Sequence, residues 1–419
     1  MKKNLILIFL SSLFTACLLY GFFILVPDAL FPFDKARFNT SDTAKITKTL
    51  PSETKHKENS PEATCNQLWR LEQDIRGIPP RGELIIQAVG DILLARDVGL
   101  RIRQNGWKHP FESVRQLVAQ GDINFCNLET PASFIGSPYP GKHPNITFRA
   151  QPGSLFSLKY AGFNIISLAN NHMTDHGPAA LEETLDALQL LDLYYVGAGR
   201  NYTEAYAPAF IEKNGWRIAF LAYADPIWSV VEAQSTAGVA HIREDVIIES
   251  IQKLRKDKTV DAILVSLHWG EEYRHSPLPK QRTLAKHIID AGADAIIGHH
   301  PHVMQGVEWY RGKPILYSLG NFAFDQIDDP TYQSTIARLS FSPEGHITLS
   351  MRPMRIARRS LHQTIPQGED LEMISKNIIT YNKQLGSTSS LIEDGWIHVR
   401  SSTAPDIAPE SRSDSSSIP

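Results

Sequence analysis

Short apolar runs recur along the middle of the chain, and each stops at a polar cluster. Leu84 to Val89 ends in Gly90-Asp91, Asp122 to Cys126 in Asn127-Leu128-Glu129, and Phe163 to Leu168 in Ala169-Asn170-Asn171-His172. Further on, Ala262 to Leu267 ends in His268-Trp269-Gly270, Ala295 to Ile297 in Gly298-His299-His300-Pro301-His302, and Ile315 to Ser318 in Leu319-Gly320-Asn321. Short apolar runs bounded by turn residues predict buried strands. Between several of them the spacing changes to a helical period, over Ala179 to Leu191, Ile247 to Arg255 and Leu278 to Ala291. Strands alternating with helices predict an α/β fold. Asn214-Gly215, between the apolar halves of Phe210 to Tyr223, predicts a hairpin, and Pro343-Glu344-Gly345 predicts a second. The fold is therefore expected to mix parallel βα units with antiparallel pairs.

The two ends of the chain read differently. Lys2 and Lys3 precede an uncharged stretch from Asn4 to Val26, and roughly 20 apolar residues span a bilayer as a helix. Residues 1–33 are expected to form a single-pass signal anchor. Its lysines would keep the amino terminus in the cytoplasm and put the bulk of the chain outside. Phe14-Thr15-Ala16-Cys17 offers an alternative, a lipoprotein attached through Cys17, although Leu18 to Val26 continues the apolar run. Both readings leave the protein on the cell membrane, facing outward. Residues 34–81, rich in Lys, Thr, Ser, Glu and Pro, read as a flexible tether. Residues 82–386 read as one folded domain and 387–419, with the polar run Ser411 to Ser417, as a disordered tail.

Composition narrows the chemistry. The 42 Lys+Arg nearly balance the 45 Asp+Glu, for a net charge of −3, which argues against a nucleic-acid partner. The three cysteines, Cys17, Cys65 and Cys126, form no CxxC pair, so a metal would be held by His, Asp, Glu or Asn. Cys126 reads as a small core residue. In open α/β sheets ligands bind beyond the carboxyl ends of strands. The loops there are expected to bring Asp91, Glu129, Asn171, His172, His268, His300 and His302 to one rim. Such a donor set suits zinc, manganese or iron. Gly298 to His302 carries three histidines within four positions and is the strongest single signal. His300 and His302, two apart in an extended segment, would face the same side. His109, His176, His241, His275 and His287 stand alone and read as surface or structural residues.

Gly90 to Leu93, Asn127 to Glu129, Ser167 to His172 with Asp175 and Gly177, Ser266 to Tyr273, Gly298 to His302 and Tyr317 to Phe322 occur in an ordered series. Over roughly Glu83 to Asp325 this series resembles the bacterial capsule biosynthesis family called CapA or PgsA, associated with poly-γ-glutamate synthesis. That family looks like a branch of the calcineurin-like metallophosphoesterases. The resemblance implies a four-layer α/β/β/α sandwich and one or two divalent metal ions, manganese, zinc or iron. It implies Asp91, Glu129, Asn171, His268, His300 and His302 as metal ligands, Glu129 bridging two ions, and His172 as the catalytic histidine. It also puts Leu93 where the phosphoesterase pattern has a histidine, so one ion position lacks a ligand. Either a single ion binds tightly or a second site is completed by water. Arg149 is a candidate for pairing with an anionic substrate, Asp175 and Glu272 for orienting a ligating histidine, and Asn321 completes the polar set.

The expected partners are an anionic polymer or its phosphorylated precursor, the membrane, and other capsule-synthesis membrane subunits. Two functions stay open. One is a metal-dependent hydrolase or transferase acting on the polymer; the other is a non-catalytic, metal-containing subunit or scaffold of a synthesis or export complex. The histidine missing at Leu93 favours the second, and retention of Asn171-His172 favours the first.

Overall fold

The computed structural model describes residues 81–402 apart from Trp228 and Ile392. The anchor, nearly all of the tether and the tail beyond 402 lie outside the described residues. The chain begins with β1 (Leu84–Ile92), α1 (Arg96–Asn105), β2 (Ile123–Leu128), α2 (Phe156–Ala161), β3 (Ile165–Ser167), α3 (Gly177–Leu190) and β4 (Tyr194–Val196). There follow β5 (Ala198–Gly199), β6 (Ala209–Lys213), β7 (Trp216–Ala224), β8 (Gly238–Val239), α4 (Glu244–Lys256), β9 (Ala262–His268), α5 (Pro279–Ala291) and β10 (Ala295–His299). Last come β11 (Val307–Tyr310), β12 (Lys313–Leu316), β13 (Asn321–Ala323), β14 (Gln333–Phe341), β15 (Ile347–Ile356), β16 (Gln363–Thr364), α6 (Gly368–Gln384), β17 (Ser387–Leu391) and β18 (Ile397–Ser401).

Two mixed sheets carry this α/β fold. One runs β17-β18-β15-β14-β1-β2-β3-β4, with β13 also on β1 and β16 on β15; the other runs β11-β12-β10-β9-β7-β6. The expected helices, now α3, α4 and α5, link the parallel pairs β3-β4, β7-β9 and β9-β10, and α1 and α2 link β1-β2 and β2-β3; β12 lies parallel to β10 but is reached through β11, without a helix. The β6–β7 hairpin turns at Asn214 and Gly215, whose φ angles are 51° and 77°. A two-residue type I′ turn needs positive φ at both positions, which is why Asn-Gly marks it. The second expected hairpin joins β14 to β15, which pair antiparallel from Gln333↔Arg355 to Phe341↔Ile347.

Alternation along the strands sorts side chains between two cores. Ile218, Phe220 and Ala222 of β7 share a core with the first sheet, where Phe220 stacks on Phe125 of β2 at 5.9 Å. Ala219, Leu221 and Tyr223 turn the other way, into a second core with Ile247 and Ile251 of α4 and Ile288 of α5. A strand covered on both faces reads as a continuous apolar run, not an alternating one. The first core also takes in Val98 of α1, Leu158 of α2 and Leu185 of α3.

Two strands lie where a disordered tail was expected from residue 387 onward. β18 pairs with β15 through Leu349↔Val399 and Met351↔Ile397, and β17 pairs with β18. Trp396, Ile397 and Val399 are buried, and the Arg338 guanidinium lies 3.9 Å above the Trp396 ring. The folded domain therefore extends to Ser401, beyond the boundary drawn at 386. Among the described residues no helix is long and apolar enough to cross a membrane.

Candidate metal centre

Four strand ends meet at one place. β1 delivers Asp91, β2 is followed by Glu129, β9 ends in His268 and β10 in His299. Two glycines allow the approach. A Cβ on Gly90 would lie 1.8 Å from the Gly320 carbonyl oxygen, and one on Gly298 would lie 2.0 Å from that of Tyr317. At the first junction the Asp91 N–H donates to the Gly320 carbonyl at 2.9 Å, and Asn321 pairs in register with Asp91. The Gly-Asp and Leu-Gly-Asn motifs are thus two halves of one contact.

Glu129 sits at the focus. It is wholly buried, and neither carboxylate oxygen has a hydrogen-bond partner. Its Oε1 lies 3.9 Å from His172 Nε2, 3.7 Å from His268 Nε2 and 3.7 Å from His302 Nε2. Burial, reinforced by the Asp91 and Glu272 charges, pushes its carboxyl well above the usual glutamate range. Two donor sets close on it: Glu129, His268 and His300, and Asp91, Glu129 and His302, each with its ligand atoms within 4.8 Å of one another. Glu129 belongs to both. Asn171 adjoins the first set through a 2.8 Å contact between its Oδ1 and His268 Nε2. Burial lowers His268 well below its ordinary value and lowers His300, which leaves neutral imidazoles, the form that binds metal. A buried carboxylate without a partner is costly, and a cation among these donors would remove the cost. The residues fit a divalent ion.

The convergence of His300 and His302 has a different cause from the one expected. β10 stops at His299, and the two residues take φ of 95° and 58°, not extended backbone. They consequently serve different donor sets. The conformation is held by the His300 N–H donating to Asp91 Oδ2 at 3.2 Å and by His302 Nδ1 bonded to Asn321 Oδ1 at 2.9 Å.

His172 is braced from behind. Its Nδ1 lies 2.8 Å from Asp175 Oδ2, and its ring stacks on Phe148 at 4.0 Å. Asp175 also accepts from the Phe148 N–H at 2.7 Å and pairs with the buried Lys142, whose Nζ donates to the Asn171 carbonyl at 3.0 Å. Burial lowers His172 to about 4 against the opposing pull of Asp175. Asn127 Nδ2 donates to Asp91 Oδ1 at 2.8 Å, and Asn170 links Asn127 Oδ1, at 3.1 Å, to the His172 N–H, also at 3.1 Å. Burial alone would raise the Asp91 carboxyl; the neighbouring His299, His302 and Asn127 bring it below the usual aspartate range.

A profile of the family described as "Bacterial capsule synthesis protein PGA_cap" matches residues 85–326, a stretch that holds both donor sets. The chain belongs to this family. A relative named "Capsule biosynthesis protein CapA" from Bacillus anthracis is 35% identical over 282 residues, 66% of this chain and 69% of that protein. The "PGA biosynthesis protein CapA" of Bacillus subtilis (strain 168) is 31% identical over 312 residues, 73% of this chain and 80% of that one. Among solved structures, the Haemophilus influenzae NAD nucleotidase overlaps with a TM-score of 0.41 and 13% identity across 71% of this chain and 55% of that chain, too loosely to argue from.

Within this PGA_cap domain the structure redistributes several expected parts. Asp175 bonds His172, not one of the histidines expected to bind metal. Asn321 holds His302 in place. Glu272 is exposed and acts on Glu129 and His300 through its charge, not by bonding a histidine. Arg149 is exposed and donates to the carbonyls of Ile135 and Gly136 at 3.4 and 3.5 Å, not to the cluster. Leu93 is a buried apolar wall residue. Asn127 and Asn170 lay inside motifs already singled out, whereas Lys142 follows Tyr139-Pro140-Gly141 in a loop that carried no signal.

Proposed function

We propose that this PGA_cap family member is a metal-dependent, hydrolase-like protein of surface-polymer synthesis, capsule or poly-γ-glutamate, anchored outside the cytoplasmic membrane. The observation that carries the reading is Glu129, buried, unpartnered and shared by two donor sets. Asp91, Glu129 and His302 would hold one ion, and Glu129, Asn171, His268 and His300 a second. When bound, such ions supply Lewis acidity and lower the pKa of a water to about 7. Leu93 leaves the first set a donor short of the phosphoesterase pattern, so the second set is expected to bind more tightly.

His172 supplies proton transfer. With Nδ1 tied to Asp175, its Nε2 faces Glu129 and is free to take up a proton and return it to a leaving group. Lys142 balances the Asp175 charge, and the Phe148 ring keeps water from one face of the imidazole. Packing of the second sheet between the first sheet and α4 and α5 supports the four-layer metallophosphoesterase-like sandwich. Relatives named for capsule and PGA biosynthesis support an anionic polymer or its phosphorylated precursor as substrate. The apolar stretch Asn4 to Val26 supports the anchor, with Cys17 lipidation as the alternative, and an anchored protein suits assembly with other synthesis subunits in the membrane.

The test is elemental analysis of residues 81–402 purified without chelator, followed by assay on phosphoester, amide and glycosidic substrates. About one ion per chain or more, with turnover of one substrate class, is expected. A fragment that neither retains nor takes up manganese, zinc or iron refutes the reading. Bound metal without turnover supports the scaffold alternative, which the missing donor at Leu93 favours.

A further inference from the structure

Beside the donor sets stands a cation whose part is not explained by metal binding. Arg96 opens α1, five residues after Asp91. Its guanidinium lies over the Phe148 ring at 5.2 Å, and Phe148 in turn stacks on His172. The guanidinium is therefore one aromatic ring removed from the imidazole that faces Glu129. That is too far for the group held at the donors and suited to a neighbouring charge on the same molecule.

The side chain is held in this pose. Nε and Nη2 each lie 3.1 Å from an oxygen of the buried Asp325, and Nη1 reaches the Asn145 carbonyl at 3.4 Å. A guanidinium has five N–H groups; Nε and Nη1 each spend one on a hydrogen bond, while Nη2 is held at Asp325 Oδ1 by charge alone. The remaining N–H groups on Nη1 and Nη2 form an edge, and the side chain is 39% exposed. Two parallel N–H groups on such an edge match a carboxylate. Tyr273 is 52% exposed, its ring lies 6.3 Å from that of His302, and its hydroxyl accepts from Gln326 Nε2 at 3.2 Å. Asp325, which holds Arg96, is followed directly by Gln326, which holds the Tyr273 hydroxyl, so the two side chains are fixed by adjacent residues of one loop. The backbone of Arg96 is left-handed, φ 50°, a conformation that persists at a non-glycine residue only where its surroundings impose it.

We infer that Arg96, not Arg149, receives an anionic group of the substrate, a carboxylate on the repeat next to the one at the donors. The inference rests on the proposed anionic-polymer reading. Asp325 orients the guanidinium, and the other nearby cation, Lys142, is buried and engaged with Asp175.

The experiment is calorimetric binding of an end-capped γ-linked glutamate tetramer, and of its uncharged counterpart in which every pendant α-carboxylate is amidated, to the manganese-loaded full chain in detergent. Arg96→Gln is expected to weaken the glutamate tetramer about tenfold or more, the loss of one charge-assisted hydrogen-bonded pair, and to leave the amidated tetramer unchanged. Arg96→Lys should lose part of that affinity, and Arg149→Gln none. Equal glutamate affinity in wild type and Arg96→Gln overturns the inference, as does an equal loss for both tetramers, or a wild type that does not bind the glutamate tetramer. A wild type that binds the glutamate tetramer with this dependence on Arg96 but turns over no substrate class refutes the hydrolase reading and leaves this assignment standing.

Discussion

A single carboxylate sets much of the behaviour expected of this site. Because the folded-state value of Glu129 is raised, the metal-free folded protein holds a proton that the unfolded chain releases near the ordinary glutamate value of 4.5. The stability tied to that proton is complete below 4.5 and is lost as pH rises through the folded-state value. In chelator the share tied to Glu129 should therefore fall as pH rises above about 4.5, while the lowered His172, His268 and His300 contribute stability that grows over an overlapping range, so the Glu129 share is read against a variant. In denaturant melts the chelated wild type should lose stability relative to Glu129→Gln as pH rises from about 5 toward neutrality, and the variant should take up less metal; a difference between the two that does not change with pH would contradict the assignment. The histidines divide differently. His302→Ala should lower metal occupancy and melting temperature together, because a bound ion stabilises the folded state by mass action. His172→Ala should keep its metal and lose turnover or capsule function; elemental analysis, thermal melts and complementation check both. Equal metal loss in the two variants would reverse their roles. The residues that cluster here were legible in the sequence because each lies at or shortly beyond the end of a buried strand. Arg96, Arg149 and Lys142 were not, because the direction of a loop side chain depends on partners far away in sequence, such as Asp325 for Arg96.

Among the elements, the junctions between strand ends decide whether the donors converge. The Gly90 Cα faces the Gly320 carbonyl so closely that an added methyl would overlap a backbone oxygen, which cannot swing aside as a flexible side chain would. Gly90→Ala should cost at least the roughly 1–3 kcal/mol typical of overpacking and reduce metal uptake, since Asp91 is the next residue. Gly153→Ala, where an added Cβ meets nothing within 4 Å, serves as the control and should change stability little. Thermal melts of the two variants separate the cases, and a Gly90→Ala protein as stable and metal-rich as wild type would show that the junction yields. The strands and helices around this junction were readable because their apolar runs are buried on both faces or keep a clear helical period. α6 was not read, because its buried positions, Ile374, Ile378 and Asn382, form a stripe one residue wide that ends in an amide.

For the whole molecule, the open question is where the autonomous unit ends. Sequence pattern put the boundary at 386, because the polar run Ser411 to Ser417 and the scattered prolines make the end of the chain read as disordered. In the fold, β18 occupies the outer side of β15, and Ile397 and Val399 are 0% and 1% exposed. Each buried aliphatic side chain contributes about 1.5–3 kcal/mol. Removing these two would cost about 3–6 kcal/mol, a large share of the roughly 5–15 kcal/mol that holds a typical domain folded. Deletion would also strip the backbone partners from Leu349 to Met351 and remove the Trp396 ring from Arg338, leaving an open edge on a sheet that also holds β1 and Asp91. A fragment of residues 81–402 should therefore fold, melt cooperatively and bind metal, whereas 82–386 should aggregate or melt at markedly lower temperature with reduced metal uptake. Expression of both fragments, compared by circular dichroism melts and elemental analysis, decides the matter. If the shorter fragment matches the longer in stability and metal content, β17 and β18 are an ornament on the sheet and the boundary returns to 386.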